Sequence, residues 1–378
     1  MTIVGDQFPP GTRWLIVDCW DSTGTVSKTR DRKATRADNG TSKRPCAYWR
    51  ASLHRFRNLA AGKVSAQRTV VSVQVEVGKA GSAMLPGMAQ KPGIAIVGAG
   101  NLGTALAVAL REAGYRIESV IPRMQGNSLV RARRLAKLTG ARAVLTSEAV
   151  KARILWLCVP DGEIAHAAVS LAEGFQGRGR IALHSSGALG SEILEPLRRR
   201  GAAVASVHPL MTFVRESRPS LVGVSFAIEG DRVAVQAARR VVRDVGGKSY
   251  PVSRKAKTAY HAWGTYASPL LTALLATTEE VAALAGVSKK VARERMLPIL
   301  LETVKNYGKL GAAAGFSGPI VRGDVETVRR HLEVLRTAAV PRQVYVALAR
   351  AAVEYLPAKN KNKLRLLLDS VDGRGLEP

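Results

Sequence analysis

The amino-acid sequence predicts an α/β fold in which a parallel sheet domain precedes an all-helical C-terminal domain. From Lys91 onward, short apolar runs alternate with amphipathic segments of helical period. This alternation is typical of a parallel sheet covered by helices on both faces. A glycine-rich loop stands directly between the first apolar run and the first helix. After "KSYPV", residues 248–252, the apolar runs stop and only segments of helical period follow.

Individual elements follow from these periods and from their flanking residues. Seven strands are predicted, at 93–98, 116–121, 142–145, 153–159, 180–184, 203–207 and 224–228. The helices of the sheet domain are predicted at 101–113, 127–139, 162–173, 190–200 and 231–245. Four more helices are predicted beyond it, at 254–285, 288–310, 324–338 and 341–356. Pro269 cannot donate a hydrogen bond to the carbonyl of Thr265, so we expect a kink in the first of these four.

The domain organisation follows from where the periodic patterns begin and end. Residues 1–88 are basic and lack a consistent period, so we expect a mostly disordered extension, with a small folded module as the alternative. A further alternative is that this segment precedes a true translation start near Met84 or Met88. The remaining predicted divisions are a sheet domain at 89–252, a helical domain at 253–356 and a polar tail at 357–378.

The composition is that of a globular protein. Of the 378 residues, 46% are hydrophobic, which is enough to give each of two domains a core. No apolar run reaches the roughly 18 residues of a membrane span, and a secretory pattern is not evident, so we expect a cytoplasmic protein without a membrane partner. Cys19, Cys46 and Cys158 lack the spacing of a disulfide framework or a zinc site, and no metal is expected.

The formal net charge of +28 would suit nucleic acid, an acidic surface or anionic small molecules. Residues 1–90 carry 14 Lys and Arg against 6 Asp and Glu, so the excess extends through the rest of the chain. No basic stretch is interleaved with aromatic residues, and no zinc-finger or ribonucleoprotein motif occurs. We therefore expect no nucleic-acid partner, and we attribute the charge to a phosphate-rich cofactor and to a general preference for arginine.

The glycine-rich loop predicts a Rossmann-type dinucleotide-binding site. Gly98 permits a tight turn, Gly100 lets the backbone approach a pyrophosphate, and Gly103 lets the helix pack closely on the strand. The first N–H groups of the helix then face the anion. Asn101 and Leu102 complete the candidate cofactor-binding loop. The alternative is a Rossmann domain that no longer holds a nucleotide.

Cofactor choice depends on the residue about twenty positions beyond the glycine loop, where an acidic side chain holds the adenosine ribose of NAD. This chain has Arg123 at that place. A guanidinium suits bidentate recognition of a phosphate, so NADP is favoured and NAD stays possible. Ser128, Arg131 and Arg133 could join Arg123 around a 2′-phosphate, and the alternative for these residues is a solvated basic helix face.

Three longer motifs carry a family resemblance: "VPDGEI" (159–164), "HSSGALGSEILEPLRRRGAAVASVHPLMTF" (184–213) and "GPIVRGDVETVRRHLEVLR" (318–336). Residues 91–355 resemble the Rossmann-like proteins that carry a C-terminal domain of unknown function, family 2520. These are similar in plan to pyrroline-5-carboxylate reductase, deazaflavin-dependent NADP reductases and β-hydroxyacid dehydrogenases. The resemblance implies an NADP-linked oxidoreductase that dimerises through its helical domain, with no defined substrate. Where Ser-Asn is expected, this chain has Ser268-Pro269, so a role for an amide there is not carried over.

Ligands of an open parallel sheet bind beyond the carboxyl ends of its strands, so the loops there hold the candidate site. Val159 and Pro160 are expected beside the cofactor. Ser185 and Ser186 are expected near the nicotinamide, where their hydroxyls could bind a carboxamide or a substrate oxygen. Serine and aspartate are also favoured helix N-caps, and capping is the alternative for Ser186 and for Asp161.

The candidate catalytic residues are His208, at the end of the sixth predicted strand, and Lys257 and His261 on the first C-terminal helix. The latter two are four residues apart and share a helix face, which we expect to meet the strand loops in the interdomain cleft. Thr265 and Ser268 continue that face as candidate substrate-binding residues. The resemblance to β-hydroxyacid dehydrogenases, which use a lysine on the comparable helix, favours Lys257. The alternatives are a histidine bonded to a backbone carbonyl and a solvated lysine.

Arg322 is a candidate anchor for a substrate carboxylate, because its "GPIVRGD" context is unlike an ordinary helix connection. Asp324 is expected to cap the helix that follows. The sequence thus predicts an NADP-dependent oxidoreductase that moves hydride to or from a small, anionic C=O or C=N substrate. One alternative is a non-catalytic dinucleotide-binding sensor or partner-binding protein, and another is a basic nucleic-acid-binding protein.

Overall fold

The computed structural model describes residues 91–123, 126–145, 151–215, 217 and 219–371, which belong to one compact unit, Gly87–Pro378. The extension predicted at residues 1–88 lies outside the described residues. So do residues 372–378 of the predicted tail.

An eight-stranded sheet forms the first part of this unit. Its strands are β1 Ile94–Val97, β2 Ile117–Ile121, β3 Arg142–Ala143, β4 Ile154–Leu157, β5 Ile181–His184, β6 Ala203–Pro209, β7 Ser225–Gly230 and β8 Lys248–Pro251. Their order across the sheet is β3-β2-β1-β4-β5-β6-β7-β8. The seven predicted strands are confirmed, and β8 adds an eighth within the "KSYPV" stretch.

One strand departs from the predicted parallel arrangement. β7 runs antiparallel to β6, pairing Val207 with Ile228, whereas the other neighbouring pairs are parallel. The physical reason is the connection between the two strands. A parallel return needs a long crossover, usually a helix, and the described residues between 210 and 224 contain no helix. The sheet is therefore mostly parallel.

Helices cover both faces of the sheet. On one face lie α1 Asn101–Glu112, α2 Asn127–Thr139 and α5 Arg232–Asp244, and on the other α3 Asp161–Ala172 and α4 Glu195–Arg199. Alternate residues of a strand point to opposite faces. Ile94 and Ile96 of β1 accordingly join the first hydrophobic core, while Ala95 and Val97 join the second. Burial on both faces explains why the strands are continuous apolar runs in the sequence.

The carboxyl ends of β1, β4, β5 and β6 lie at one edge of the sheet, because these strands are parallel neighbours. β1 leads into α1 and β4 leads into α3, and these helices cover opposite faces. The winding of the chain therefore switches between β1 and β4. Open α/β sheets bind their ligands at such a switch point.

The helical region follows the sheet. It contains α6 Lys257–Ala267, α7 Pro269–Leu284, α8 Lys289–Gly315, α9 Pro319–Arg322, α10 Val325–Val334, α11 Ala339–Tyr355 and α12 Lys361–Ser370. The helix predicted at 254–285 is divided at Ser268, whose φ of −132° and ψ of −76° are not helical. Pro269 is the first residue of α7, a position at which its missing N–H costs no hydrogen bond. The expected kink is a complete break between two helices.

The prediction of a polar tail is wrong for residues 361–370, which form α12. Leu364 and Leu368 are buried in one cluster with Val328 of α10 and Val346 of α11. Their spacing of four residues places both on one helix face. Three lysine and arginine residues are interspersed with this short apolar stripe in "KNKLRLLLDS", so the composition of the segment is polar although one of its faces is apolar.

α7 and α8 leave a large apolar surface uncovered. Ala292 is the only buried residue of α8, and Ile299, Leu301 and Val304 are 68%, 62% and 63% exposed. α7 has no buried residue at all. Within the described ranges no single helix is long and apolar enough to cross a membrane, although the bent pair Arg254–Leu284 and Lys289–Arg322 meets that length and composition test jointly.

Candidate cofactor and catalytic site

The loop after β1 has the geometry that its glycines predict. Gly98 has a φ of 95°, in the left-handed region, and a Cβ there would lie 2.7 Å from the carbonyl oxygen of Cys158. A Cβ on Gly103 would overlap the carbonyl oxygen of Gly98, so α1 can approach the strand this closely only with glycine. A Cβ on Gly100 would meet no atom within 4 Å. Gly100 therefore faces open space, as the approach of a pyrophosphate requires.

The N-terminus of α1 is available to an anion. Gly100 is the N-cap residue and no side chain caps the helix, so the first N–H groups have no intrahelical partner. Asn101 is exposed, and its Nδ2 donates to the carbonyl oxygen of Phe213 at 3.1 Å, which ties the loop after β6 to the glycine loop. Leu102 packs on the core beneath. The residues present thus fit a dinucleotide pyrophosphate.

Arg123 lies just beyond β2 and is exposed. It lines a cavity of about 390 Å³ together with Val97, Val159 and Glu163, where β1, β2 and β4 end. An Arg123 guanidinium nitrogen lies 3.9 Å from Glu163 Oε1, and the Arg123 backbone N–H donates to Ser128 Oγ at 3.0 Å. The position of this cavity fits the adenosine half of a dinucleotide.

The hydroxyls of the loop after β5 have partners within the protein. Ser185 Oγ accepts a hydrogen bond from Trp156 Nε1 at 2.8 Å. Ser186 Oγ donates to Asp161 Oδ2 at 2.7 Å and accepts from the backbone N–H of Leu189 at 2.9 Å. Ser186 does not cap the next helix, which begins at Ser191 with Gly190 as its N-cap residue; its hydroxyl instead closes a local turn. Contacts of either serine with a cofactor stay a prediction.

Asp161 does not cap α3, contrary to expectation. Pro160, which is exposed, is the N-cap residue of α3, and no side chain caps this helix. Because Pro160 holds the extended conformation that the cap position needs, with φ −56° and ψ 150°, Asp161 becomes the first helical residue. Its carboxylate is thereby directed to Ser186, and it links the loops after β4 and β5.

His184 is fully buried beneath this loop. Its Nε2 lies 3.1 Å from the carbonyl oxygen of Gly190, and its Nδ1 accepts the backbone N–H of Ser186 at 3.2 Å. With one ring nitrogen accepting and the other facing a carbonyl, the imidazole is neutral. Burial, reinforced by the charge of Lys257, lowers the pKa of His184 to about 3. His184 therefore acts as a neutral support that shapes the loop.

Lys257 is fully buried, which contradicts the alternative of a solvated lysine. Its Nζ donates to the carbonyl oxygen of Ser186 at 3.0 Å and to Ser206 Oγ at 2.5 Å. These bonds tie α6 to the loop after β5 and to β6. Burial lowers the pKa of Lys257, while the carboxylates of Glu229 and Asp161 oppose that shift. A positive charge thus lies directly behind the candidate site.

His208, Tyr260 and His261 form a cluster in front of that charge. His208 Nδ1 lies 2.6 Å from the Tyr260 hydroxyl, and the rings of His208 and His261 pack edge to face with centroids 6.0 Å apart. A Cβ on Gly187 would lie 2.5 Å from His261 Cδ2 and 2.9 Å from His208 Nε2. A Cβ at this position would therefore displace one or both imidazoles. The structure brings His208, His261 and Lys257 together, as the sequence predicts.

The surroundings of His208 and Tyr260 favour the uncharged forms of these two side chains. Burial lowers the pKa of His208 to about 4, and the charges of Lys257 and His261 contribute to the shift. Burial also raises the pKa of Tyr260. The hydrogen bond between His208 and Tyr260 thus joins two neutral groups at neutral pH. His261 is exposed and connects the cluster to solvent.

The side chains of the three predicted substrate-binding residues make no hydrogen bond to the side chains of the cluster among the described residues. Thr265 Oγ1 donates to the His261 carbonyl of its own helix at 3.0 Å, and the Ser268 carbonyl accepts from Thr272 Oγ1 at 3.1 Å. Arg322 is exposed at the end of α9, which packs on α10 and α11. The hydrogen bonds of the described residues do not join any of the three to His208. The cap predicted for the next helix is confirmed, because Asp324 accepts from the backbone N–H of Thr327 at 3.1 Å.

Sequence reasoning missed Tyr260, Ser206 and Gly187. Tyr260 carries a usable signal, because it lies three residues after Lys257 and so shares its helix face. Gly187 follows "HSS" in a motif already singled out, and its role depends on two imidazoles from distant parts of the chain. Ser206 lies inside a buried strand, and nothing in the sequence distinguishes it from a strand residue that hydrogen-bonds its neighbours.

Comparison with known families agrees with this architecture. Residues 86–209 match the Rossmann-like domain, and residues 224–352 match the domain of unknown function DUF2520. The chain carries a Rossmann-like domain and a DUF2520 domain. The family resemblance predicted from the three long motifs is confirmed. No curated protein matches the sequence.

Solved structures share the fold over nearly their whole length. A candidate NADP oxidoreductase from Bacteroides fragilis has 22% identity and a TM-score of 0.59, over 69% of this chain and 98% of its own. A protein from Thermotoga maritima has 23% identity and a TM-score of 0.54, over 74% and 99%. The reductive aminase from Aspergillus terreus, in complex with NADPH and ethyl-5-oxohexanoate, has 18% identity and a TM-score of 0.53, over 72% and 98%. The TM-scores above 0.5 establish a common fold.

Replacing Gly187 with alanine is expected to lower turnover at least about tenfold, because the new Cβ displaces the imidazoles of His208 and His261. Cofactor affinity should stay unchanged, since the glycine loop is untouched. Steady-state rates and nicotinamide fluorescence titration measure the two quantities. Gly162→Ala is the control, because a Cβ there meets nothing within 4 Å. Equal rates for both variants would contradict the assignment of this cluster to the site.

Acidification is expected to destabilise the protein through its two buried histidines. The pKa of His184 falls to about 3 and that of His208 to about 4, from an ordinary value of 6.5. Between about pH 6.5 and pH 4 the unfolded chain therefore binds more protons than the folded one. The free energy of unfolding should decrease as pH falls through this window, by up to about 1.4 kcal/mol per pH unit for each histidine.

Urea denaturation between pH 7.5 and pH 4.5 tests this expectation. The variant His184→Gln keeps a hydrogen-bond donor but cannot titrate, so its stability should depend less steeply on pH. His166→Gln is the control, because His166 is exposed on α3. Parallel pH dependences for the wild type and His184→Gln would show that His184 takes up no proton on unfolding.

Proposed function

We propose that the protein is an NADP-dependent oxidoreductase that transfers hydride to or from a small, anionic C=O or C=N substrate. The observation that carries this proposal is the meeting of Lys257, His208 and His261 at the loops after β5 and β6. Those loops lie at the same sheet edge as the glycine loop, and β5 is two strands from β1, or about 10 Å at ordinary strand spacing. Proton-carrying side chains thus stand beside the proposed cofactor site.

The fold comparisons support the cofactor class. The Bacteroides fragilis protein is described as an NADP oxidoreductase, and the Aspergillus terreus enzyme was solved with NADPH. The glycine loop of this chain fits a dinucleotide, and Arg123 replaces the acidic residue of NAD sites. We therefore favour NADP and keep NAD as possible.

Each residue of the cluster receives a role from its surroundings. A bound nicotinamide supplies or accepts the hydride, which leaves the protein to position the substrate and to move a proton. Lys257 holds the Ser186 carbonyl and positions the loop after β5. His208 exchanges a proton with the substrate, while Tyr260 fixes its ring through Nδ1. His261 is exposed and returns the proton to solvent. This arrangement favours an enzyme over the alternative of a non-catalytic dinucleotide-binding sensor.

Substrate recognition and assembly complete the proposal. Arg322, Thr265 and Ser268 stay candidate substrate contacts.

The uncovered apolar face of α7 and α8 supports a homodimer, since exposed patches of this kind mark protein interfaces. Light scattering at micromolar concentration should give twice the chain mass, and a monomer would contradict this part of the proposal. The free, buried thiol of Cys158 is in keeping with a cytoplasmic location.

The experiment that tests the proposed function follows the nicotinamide absorbance of NADPH with a panel of 2-oxo acids, cyclic imines and imino acids. We expect oxidation with at least one anionic substrate, and loss of that rate in His208→Asn. Tight NADPH binding without hydride transfer to any member of the panel would contradict an oxidoreductase of this substrate class and favour the sensor alternative.

Replacing Arg123 with aspartate is expected to weaken NADP binding by about 1.5–3 kcal/mol, the scale of a hydrogen bond to a charged group, and to leave NAD binding nearly unchanged. Calorimetric titration with both cofactors measures the effect. Lys137→Asp on α2 is the control for net charge, because Lys137 is exposed and does not line the Arg123 cavity. Equal NADP affinities for the wild type and Arg123→Asp would remove Arg123 from the cofactor site.

A further inference from the structure

Glu229 is a buried acidic residue that the proposed function does not use. It lies in β7, within the apolar segment "SFAIEG", and it is 8% exposed. Charged side chains are almost never buried to this extent unless they are paired, because their removal from water is costly. The position of Glu229 in the sheet shows which charge it is paired with.

Glu229 belongs to a row of polar residues that crosses the sheet. β5 pairs His184 with Ser206 of β6, and β6 pairs Ser206 with Glu229 of β7. Residues paired in this way point to the same face of a sheet. His184 and Ser206 are fully buried. Two residues earlier in β5 and β6, Ala182 and Val204 belong to the second hydrophobic core, so this face of the sheet changes from apolar to polar at the row.

The Lys257 ammonium lies at the middle of this row. Its Nζ donates to Ser206 Oγ at 2.5 Å, and Glu229 is the residue directly opposite Ser206. The Cβ atoms of such a pair are about 5 Å apart, which brings the carboxylate within range to attract the ammonium. The second acceptor of Lys257 is the carbonyl oxygen of Ser186. Both direct partners of the ammonium are therefore uncharged, and its counter-charge comes from the neighbouring position.

The electrostatics at Lys257 identify that counter-charge. Burial lowers the pKa of Lys257, and the carboxylate of Glu229 opposes this shift more strongly than those of Asp161 and Glu192. The other titratable groups on which the Lys257 charge acts are the buried imidazoles of His184 and His208. These two rings are neutral at neutral pH and cannot balance the ammonium.

Hydrogen bonds hold the Glu229 carboxylate in place. Its Oε1 accepts from the backbone N–H of Ser191 at 2.6 Å, and its Oε2 accepts from Ser191 Oγ at 2.9 Å and from Arg254 Nε at 3.2 Å. Arg254 lies three residues before Lys257, the first residue of α6. The carboxylate thus stands where β7, the segment at Ser191 and the start of α6 meet.

The two charges depend on each other unequally. Without Lys257, the carboxylate of Glu229 keeps Arg254 and both donors of Ser191. Without Glu229, the buried ammonium keeps two uncharged oxygen partners and the weaker attraction of the other carboxylates. A buried charge that loses its counter-charge is strongly destabilised and tends to give up its ionised form. Loss of the carboxylate should therefore affect Lys257 far more than loss of the ammonium affects Glu229.

We propose that Glu229 is a positioning residue of the proposed reaction, and that its carboxylate is the counter-charge that keeps Lys257 in its ammonium form. The ammonium in turn holds the Ser186 carbonyl and the loop that packs on His208 and His261. The kinetic part of this proposal rests on the proposed function, whereas the pairing of the two charges does not.

A double-mutant cycle tests the pairing without an assay of turnover. Urea denaturation between pH 7 and pH 10 gives the equilibrium constant of unfolding for the full chain, Glu229→Gln, Lys257→Met and the double variant. Glutamine keeps the length and an acceptor oxygen, so the substitution removes the charge. At pH 7 we expect Glu229→Gln to raise the unfolding constant at least about tenfold more in the wild-type background than in Lys257→Met.

Glu195→Gln is the matched control for the cycle. Glu195 is a carboxylate of α4 that pairs with Arg198, and it is not among the charges that act on Lys257. Its effect on stability should be the same with and without Lys257.

The coupling should depend on pH with a definite sign. The pKa of Lys257 lies below its ordinary value of 10.5, and loss of Glu229 should lower it further. Between that lowered pKa and 10.5, the unfolded chain binds a proton that the folded chain lacks. Glu229→Gln should therefore lose stability relative to the wild type as pH falls from 10 towards 7, and the coupling should be larger at pH 7 than at pH 10.

Steady-state rates test the role in the reaction. Relative to the wild type, kcat of Glu229→Gln should fall at least about tenfold at pH 9 and recover towards pH 6, because the lysine regains its proton at low pH. Glu229→Asp keeps the charge and should retain more activity at every pH. A merely structural role would lower kcat equally across this range.

Each outcome decides one part of the proposal. If Glu229→Gln does not fold, the double variant should fold, since no counter-charge is needed without the ammonium. Equal effects of Glu229→Gln in the two backgrounds, or a double variant that does not fold, would overturn the pairing. A pH profile of kcat that is unchanged in Glu229→Gln would overturn the positioning role. A wild type without turnover would contradict the proposed function, while the cycle would still decide the pairing.

Discussion

Replacing Lys257 with methionine is expected to lower kcat by about 100-fold or more, the scale of general acid–base catalysis, because His208 depends on the loop that Lys257 positions. Lys257 is fully buried and donates to the Ser186 carbonyl and to Ser206 Oγ, so its loss frees the loop that packs on His208 and His261. Its charge also lowers the pKa of His208. The pH profile of the remaining activity should therefore shift to higher pH, which a change of loop packing alone would not produce.

The same substitution should leave the fold intact. Ser206 Oγ also donates to the Ser186 carbonyl, at 3.3 Å, so that oxygen keeps a partner without the lysine. Exchanging a buried charge for an apolar side chain of similar length removes a desolvation penalty. We expect a free energy of unfolding within about 1 kcal/mol of the wild type, or above it.

Lys255→Met is the matched control, since Lys255 lies two residues away and is exposed. It should change neither kcat nor the pH profile. Steady-state rates between pH 5 and pH 9, cofactor titration and urea denaturation provide the measurements. Wild-type turnover in Lys257→Met would show that the buried ammonium serves stability alone and has no part in the reaction.

Alanine substitutions at Gly103 and Gly100 are expected to impair two different properties. The first should lower the stability of the protein, and the second should lower its affinity for the cofactor. Gly103→Ala places a Cβ against the carbonyl oxygen of Gly98, so it should reduce the free energy of unfolding by about 1–3 kcal/mol, as overpacking does. Gly100→Ala meets no protein atom within 4 Å and should fold as the wild type does. Its methyl group would occupy the space that we propose for the pyrophosphate, so cofactor affinity should fall at least about tenfold, or 1.4 kcal/mol.

Thermal unfolding without cofactor and calorimetric titration with NADP⁺ separate the two effects. Gly308→Ala on α8 is the control, because a Cβ there also meets nothing within 4 Å. If Gly100→Ala bound NADP⁺ as the wild type does, the open space at Gly100 would not be the pyrophosphate site.

The features of the candidate site that can be predicted from sequence are those that depend only on residues within one short segment of the chain. The glycine spacing between a strand and a helix predicts the loop at Gly98, Gly100 and Gly103, because all three requirements are local. The interval of four residues predicts that Lys257 and His261 share a helix face. The burial of Lys257 cannot be predicted from its own segment, because it depends on Ser186 in the loop after β5 and on Ser206 in β6.

The capping prediction for Asp161 fails for a related reason. Aspartate after a strand is a favoured cap, but Pro160 takes the cap position and moves Asp161 into the helix. The tail prediction fails because the apolar stripe of α12 is short, and its burial depends on a groove built by α10 and α11. In both cases a correct local propensity is overridden by the neighbouring structure.

The sequence by itself determined the alternation of strands and helices, the position of the glycine loop and the place of the interruption at Pro269, because backbone period and backbone geometry are local properties. The tertiary structure alone decided that Lys257 is buried, that Gly187 must accommodate two imidazoles, and that β7 returns antiparallel beside β6. Each of these features depends on segments that are far apart in the chain. Such segments interact through charge and packing only after the sheet order has brought them within a few ångströms of each other.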